Sequence, residues 1–291
     1  MRAAESLPTQ RSLSPRVGAS AVLMGMAITL VATMPRNILF ALNLRYVAGL
    51  PWAVPFVAIY LWFVWRYLRG DGPPNSTREL RRQLLRANPV SGIVWMWAMC
   101  AGTTAIVALV LGLRVANRLV RLPSQHLPDV SHVPCTTVVA LLLASAPIAA
   151  VIEESAFRGY MQGPLEQSYG LTLAILITGT MFAIAHLDFA LVLWPYYLGV
   201  AAIYGVIAHR TGSILPTMVL HTLGNTFSNL DLWLHRQAEW QTPAGSPGFV
   251  WISGADANFY LAAAAFIVAT AASLWCFAKL SMVTKSTPTV R

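Results

Sequence analysis

Eight apolar stretches dominate the chain, at residues 17–34, 51–68, 91–113, 135–162, 171–188, 190–209, 213–234 and 258–283. Each has the length of about 20 mainly apolar residues that a helix needs to cross a bilayer core. The polar residues gather in the segments between them. This pattern predicts an all-α integral membrane protein, a multi-pass bundle of about eight transmembrane helices. The fifth and sixth stretches are divided only by the short "LDFA" at 187–190, where Asp188 is the single charge. The pattern is therefore also compatible with seven or nine spans.

Composition agrees with that class. The 291 residues are 56% hydrophobic and only 11% charged, with a mean hydropathy of +0.59, outside the range of soluble globular domains. The net charge of +9 bears on topology through where its residues fall. With both termini placed in the cytoplasm, the inner segments hold Arg2, Arg11, Arg16, Arg66, Arg69, Arg78, Arg81, Arg82, Arg86, Arg158, Arg210, Lys279, Lys285 and Arg291. The outer segments hold Arg36, Arg45, Arg114, Arg118, Arg121 and Arg236. Fourteen against six is the positive-inside asymmetry and favours an even number of spans. The Arg-rich segment 66–86 then reads as a cytoplasmic loop beside anionic headgroups, with no nucleic acid as partner. The opening "MRAAESLPTQRSLSPR" and the apolar run after it read as a retained signal anchor, because no small-x-small cleavage site closes the run. The Pro, Gly and Ser of "TPAGSPGFVWISGAD", 242–256, read as an external loop. Cys100, Cys135 and Cys276 have no CxxC spacing and read as small apolar residues.

Few ionisable residues fall in the middle of a span: Glu153, Glu154 and Arg158 in "VIEESAFRGY", His186 in "FAIAH" and His221 in "HTLGN". At such depth each costs several kcal/mol unless paired or solvated, which makes it a functional candidate. Residues four apart share a helix face, so Glu154 and Arg158 can pair within their helix. Glu153, rotated by about 100 degrees, is left as the unneutralised carboxylate. The same spacing joins Phe182 to His186 and His221 to Asn225.

If the three helices converge, two imidazoles with a carboxamide or carboxylate can hold a divalent metal that leaves a position open for water. Such a metal brings bound water to a pKa near about 7. Glu153 would then be the general base that takes the water proton and returns it to the leaving amine, while Asn225 donates to the oxyanion or ligates. Each residue also has a plainer reading. A lone membrane histidine is commonly an interhelical hydrogen-bond partner, and the Glu154–Arg158 pair alone can be structural. His209, Arg210, His235 and Asp188 sit at span ends and read as solvated, and His126 and His132 carry no assignment.

Taken in order, "EESAFR", "FAIAH" and "HTLGN" resemble the CPBP family of intramembrane proteases, which includes CAAX prenyl endopeptidases and bacteriocin-processing or immunity proteins. The family pattern is EExxxR, FxxxH, then HxxxN or HxxxD. The resemblance covers roughly residues 135–234, including "RTGSILPTMVLH", and it implies a catalytic set of Glu153, His186, His221 and Asn225, with Glu154 and Arg158 completing the first motif. All motif positions are intact. The chain offers no HExxH, GxGD or GxSG, the motifs of the site-2, aspartyl and rhomboid intramembrane proteases.

Depth raises an objection. A fourth span ending near 162 puts Glu153 toward one face, and His186, about 16 residues into the next span, toward the other. Shared chemistry then requires a span that begins later, tilts or breaks, with 163–172 including a loop that dips into the protein. The expected organisation is residues 1–134 as N-terminal transmembrane helices with the Arg-rich loop, 135–234 as the catalytic core, and 235–291 as an external loop and last helix. The expected activity is an intramembrane metalloendopeptidase acting on a membrane-associated peptide or protein. Glu153 activates water there, and zinc is held by His186, His221, Asn225 and Glu153. The rival is a non-enzymatic scaffold or transporter that uses the same buried polar cluster for binding.

Overall fold

The structure is a computed structural model that describes residues 15–123, 129–187, 190–235 and 248–286. Arg2, Arg11, His126, Asp188, Arg236, Arg291 and residues 242–247 of the segment 242–256 lie outside the described residues. Every described element is helical. In chain order these are α1 (Pro15–Tyr46), α2 (Ala53–Leu68), α3 (Arg78–Leu85), α4 (Gly92–Asn117), α5 (Cys135–Glu153), a π-helical segment (Glu154–Met161), α6 (Gln162–Tyr169), α7 (Leu171–Ala185), α8 (Trp194–Thr211), α9 (Leu215–His235), the single turn α10 (Val250–Ser253) and α11 (Ala257–Ser286).

All eight apolar stretches are helices, but they are not eight equal spans. Five are long and apolar enough to cross a membrane: α1, α4, the continuous helix Cys135–Tyr169, α8 with the turn before it, and α11. The apolar helices α2 and α7 are shorter, at 16 and 15 residues, and α9 is not among the five. At about 1.5 Å per residue, α7 reaches roughly 22 Å, less than a hydrocarbon core of about 30 Å. The N-terminal helix also exceeds its expected bounds, so Arg36 and Arg45 lie inside α1 and not in a loop.

The largest correction concerns the fourth stretch. It does not end near 162: α5, the π segment and α6 form one helix to Tyr169, and Gly170, at φ 82°, makes the turn into α7. That φ is open to glycine at little cost. Glu153 lies 17 residues before Gly170 and His186 lies 16 after it, so the antiparallel hairpin returns both to one level. The depth objection disappears without a dipping loop.

The helices associate in pairs, α4 with α11, α5 with α9 and α7 with α8, while α1 lies along the π segment. Close approaches depend on small residues, as expected for helices packed in lipid. A Cβ on Gly102 of α4 would meet the Leu220 side chain, and one on Gly179 of α7 would meet Leu198 and Ala201 of α8.

The Arg-rich segment is not a plain solvated loop. Arg81 is buried and donates to the carbonyls of Tyr67, Asp71 and Gly72 at 2.6, 3.2 and 2.7 Å, folding residues 67–74 around its guanidinium. Arg86 ends α3 in the left-handed region at φ 57°. Its side chain reaches the Ala208 carbonyl at 3.0 Å and Glu166 at 3.4 Å, tying α3 to α6 and α8. Arg66, Arg69, Arg78 and Arg82 remain exposed.

Candidate active site

The first motif sits where the helix changes register. The π segment Glu154–Met161 buries all eight of its residues, and π bulges recur at functional sites because they re-aim side chains. Within it Arg158 and Glu154 pair at 3.1 Å with exposures of 1% and 0%. The pairing expected from the four-residue spacing is therefore present.

A contact that sequence spacing does not reveal comes from α9. His221 Nδ1 lies 2.8 Å from Glu154 Oε1, and its Nε2 lies 3.6 Å from Glu153 Oε2. The Glu154 carboxylate, beside Arg158, can only accept, so His221 Nδ1 carries the proton and donates it. Nε2 is then the nitrogen that faces Glu153. The 3.6 Å separation is too long for a hydrogen bond. Glu153 is 19% exposed while Glu154 is fully buried. Of the two carboxylates, Glu153 is the one that an incoming molecule can meet.

His186 caps α7. Its Nδ1 lies 2.8 Å from the Phe182 carbonyl; a carbonyl only accepts, so Nδ1–H donates and Nε2 is left outward. The Phe182 ring connects the two histidines, with its centroid 4.5 Å from that of His186 and 6.5 Å from that of His221. The Arg158 guanidinium lies 5.0 Å from the same ring, a cation–π distance. Asn225 is half-buried on α9 one turn beyond His221. Thus Glu153, Glu154, Arg158 and His221 form one contiguous cluster. His186 joins it through an aromatic ring, and Asn225 shares the His221 face of α9.

The zinc expected at His186, His221, Asn225 and Glu153 meets a stricter condition. Among the described residues, no three His, Cys, Asp or Glu side chains are grouped so as to hold an ion. A catalytic zinc takes three protein ligands. That condition is not met by the described His, Cys, Asp and Glu side chains alone, and the expected set depends on the Asn225 carboxamide as well.

Sequence reading missed several participants. Tyr204 stacks on His221, Tyr197 lies against His186, and Gln162 donates to the Gly205 carbonyl at 2.9 Å. His209, expected to be solvated, pairs with Glu166 at 3.1 Å. The signal for the tyrosines was available in the sequence: seven residues separate them, which places both on one face of α8.

No curated protein and no solved structure matches the chain. A family model does: "Type II CAAX prenyl endopeptidase Rce1-like" matches residues 135–227, 93 of the 291 residues, and all seven motif positions fall within them. The resemblance carried by the three motifs is therefore matched over that segment, and the chain is an integral membrane protein whose residues 135–227 are similar to the Rce1-like type II CAAX prenyl endopeptidases.

Proposed function

We propose that the chain is a glutamate-activated intramembrane endopeptidase and that residues 135–234 are its catalytic core. The observation that supports this best is the position of His221, which lies between the partly open carboxylate of Glu153 and the buried carboxylate of Glu154. Its tautomer is set by Glu154, and Glu154 is in turn neutralised by Arg158.

In the proposed reaction a water molecule enters beside Glu153 and Nε2 of His221. Glu153 removes one proton as the water oxygen attacks the peptide carbonyl. The carboxamide of Asn225 and the outward Nε2 of His186, when it carries a proton, are donors for the oxyanion. Collapse of the tetrahedral intermediate breaks the C–N bond, and Glu153 returns its proton to the leaving amine. Glu154 and Arg158 stay paired throughout and hold His221 in place. The family match supports a peptide substrate with a prenylated C-terminal CAAX sequence. The positive-inside charge pattern supports cytoplasmic termini.

The test uses purified full-length protein in liposomes with a farnesylated peptide ending in a CAAX sequence, and mass spectrometry of the products. A shortened prenyl peptide together with the released C-terminal fragment is expected. A peptide that binds but is recovered intact would instead support the scaffold or transporter reading.

A further inference from the structure

The helix α8 belongs to none of the three motifs, yet it faces both motif histidines. Tyr197 and Tyr204 are 5% and 4% exposed and lie seven residues apart, on one face of the helix. The Tyr197 and His186 rings are 5.0 Å apart with a 36° interplanar angle. The Tyr204 and His221 rings are 5.3 Å apart at 27°, a stacked arrangement. One helix face thus carries one phenol ring for each imidazole.

Tyr204 has a second neighbour on the same cluster, since the Arg158 guanidinium lies 5.2 Å from its ring. Glu154 pairs with Arg158 and with His221, so the three charged or polar groups and the Tyr204 ring close a circuit. A Cβ on Gly224 would lie 3.6 Å from the Tyr204 hydroxyl oxygen, which places the far end of the ring against α9 at Gly224. The helix that carries the tyrosines is held in register by Arg158 Nη2, which reaches the Val200 carbonyl at 3.5 Å, and by Gln162 at Gly205.

From this geometry we infer that Tyr197 and Tyr204 are positioning residues for the reaction, their rings fixing the planes of His186 and His221. A hydrogen bond at Nδ1 sets the direction of one imidazole nitrogen but leaves the ring free to rock about that bond. A flat, buried neighbour at stacking distance removes this freedom. Since catalytic groups misplaced by about 1 Å lose as much as about a hundredfold in rate, a loosened imidazole plane is expected to lower the rate. The inference rests on the proposed function for its kinetic part and on geometry alone for its spectroscopic part.

The experiment compares Tyr204→Phe, Tyr204→Leu, Tyr197→Phe and Tyr197→Leu in the full chain, assayed on the farnesylated CAAX peptide. It is paired with NMR of the histidine ring protons in protein labelled at histidine, with the His221 signal identified by its loss in His221→Gln. The Phe variants, which keep the ring, are expected to retain kcat within about twofold, while the Leu variants lose about ten- to a hundredfold in kcat with little change in KM. The His221 ring protons are expected upfield in the unaltered protein and in Tyr204→Phe. Tyr→Phe losses as large as Tyr→Leu losses would overturn the inference by assigning the role to the hydroxyl, as would Leu variants with full kcat. An unshifted His221 resonance in the unaltered protein would overturn it without any variant having to fold. Failure of the proposed function would show separately, as cleavage that persists in Glu153→Gln while the ring-proton shift stands.

Discussion

At the scale of single residues, two adjacent glutamates divide the work. Glu154 is buried with Arg158 and His221 as partners, and Glu153 is partly open, with the His221 Nε2 edge 3.6 Å away and Arg36 close enough to interact with its charge. Removing one member of a buried ion pair leaves the other uncompensated, at about 3–5 kcal/mol. Glu154→Gln is accordingly expected to lower the melting temperature in detergent and to reduce activity through a released His221, whereas Glu153→Gln leaves the melting temperature near that of the unaltered protein. A Glu154→Gln protein as stable as the parent would show that the pair does not hold the site. The identities of these residues were legible in the sequence because charges are rare in apolar stretches and the spacings of four are local. The contact of His221 with both carboxylates was not legible, since it joins α9 to residues 67 and 68 positions earlier, where α5 meets the π segment. Nor was the outward turn of His186, which depends on a backbone carbonyl where α7 ends.

At the scale of elements, the π segment is the feature on which the site turns, and it is clamped from outside. A Cβ on Gly159 would come within 3.0 and 3.1 Å of the Leu85 and Leu84 carbonyl oxygens, so the end of α3 lies flush against the π turn. Gly159→Ala forces backbone apart, a kind of overpacking that costs about 1–3 kcal/mol. The expected result is a lower melting temperature and a fall in kcat, while an unchanged protein would show that α3 does not press on the site. A second clamp joins α4 to the connection before α11. Arg118 bonds Asp256 at 2.8 Å and the Gly248 carbonyl at 3.0 Å. The Phe259 backbone N–H and the Arg118 guanidinium hold the Asp256 carboxyl below its usual range. A lowered folded-state value contributes above the ordinary aspartate pKa of about 3.9 and is lost as pH falls through the lower one. Limited proteolysis at residues 248–256 should therefore stay slow from neutral pH down to the ordinary aspartate range and speed up below it. Arg118→Ala should be cut quickly at neutral pH, and equal rates for the two proteins would remove the clamp from the account. Helix existence was legible from apolar runs alone, but helix ends were not. Residues 163–172 were expected to include a loop that dips into the protein, yet Gly163 and Pro164 fall in the first turn of α6. Proline, lacking an N–H, is tolerated in the first turn of a helix.

At the scale of the whole molecule, the arrangement converts a membrane bundle into a site by making its helices unequal. The long helix Cys135–Tyr169 carries Glu153 near its middle, and the short α7 ends with His186 at the same level. Such an ending within the bilayer is possible where backbone groups meet protein or a water-accessible cavity. Eight equal spans would have set these residues at different depths, which is the difficulty that apolar run lengths alone produce. Folding of α3 and Arg86 over the ends of α6 and α8 was likewise hidden, since a basic segment between spans reads first as a topology signal. The central claim is that Glu153 is the base. Its most direct test is the single-turnover cleavage rate of the farnesylated CAAX peptide by Glu153→Gln in liposomes, beside the unaltered protein. Loss of at least about a hundredfold, the low end for a positioned base, with an unchanged melting temperature, is the predicted result. Cleavage within about tenfold of the parent rate would contradict it.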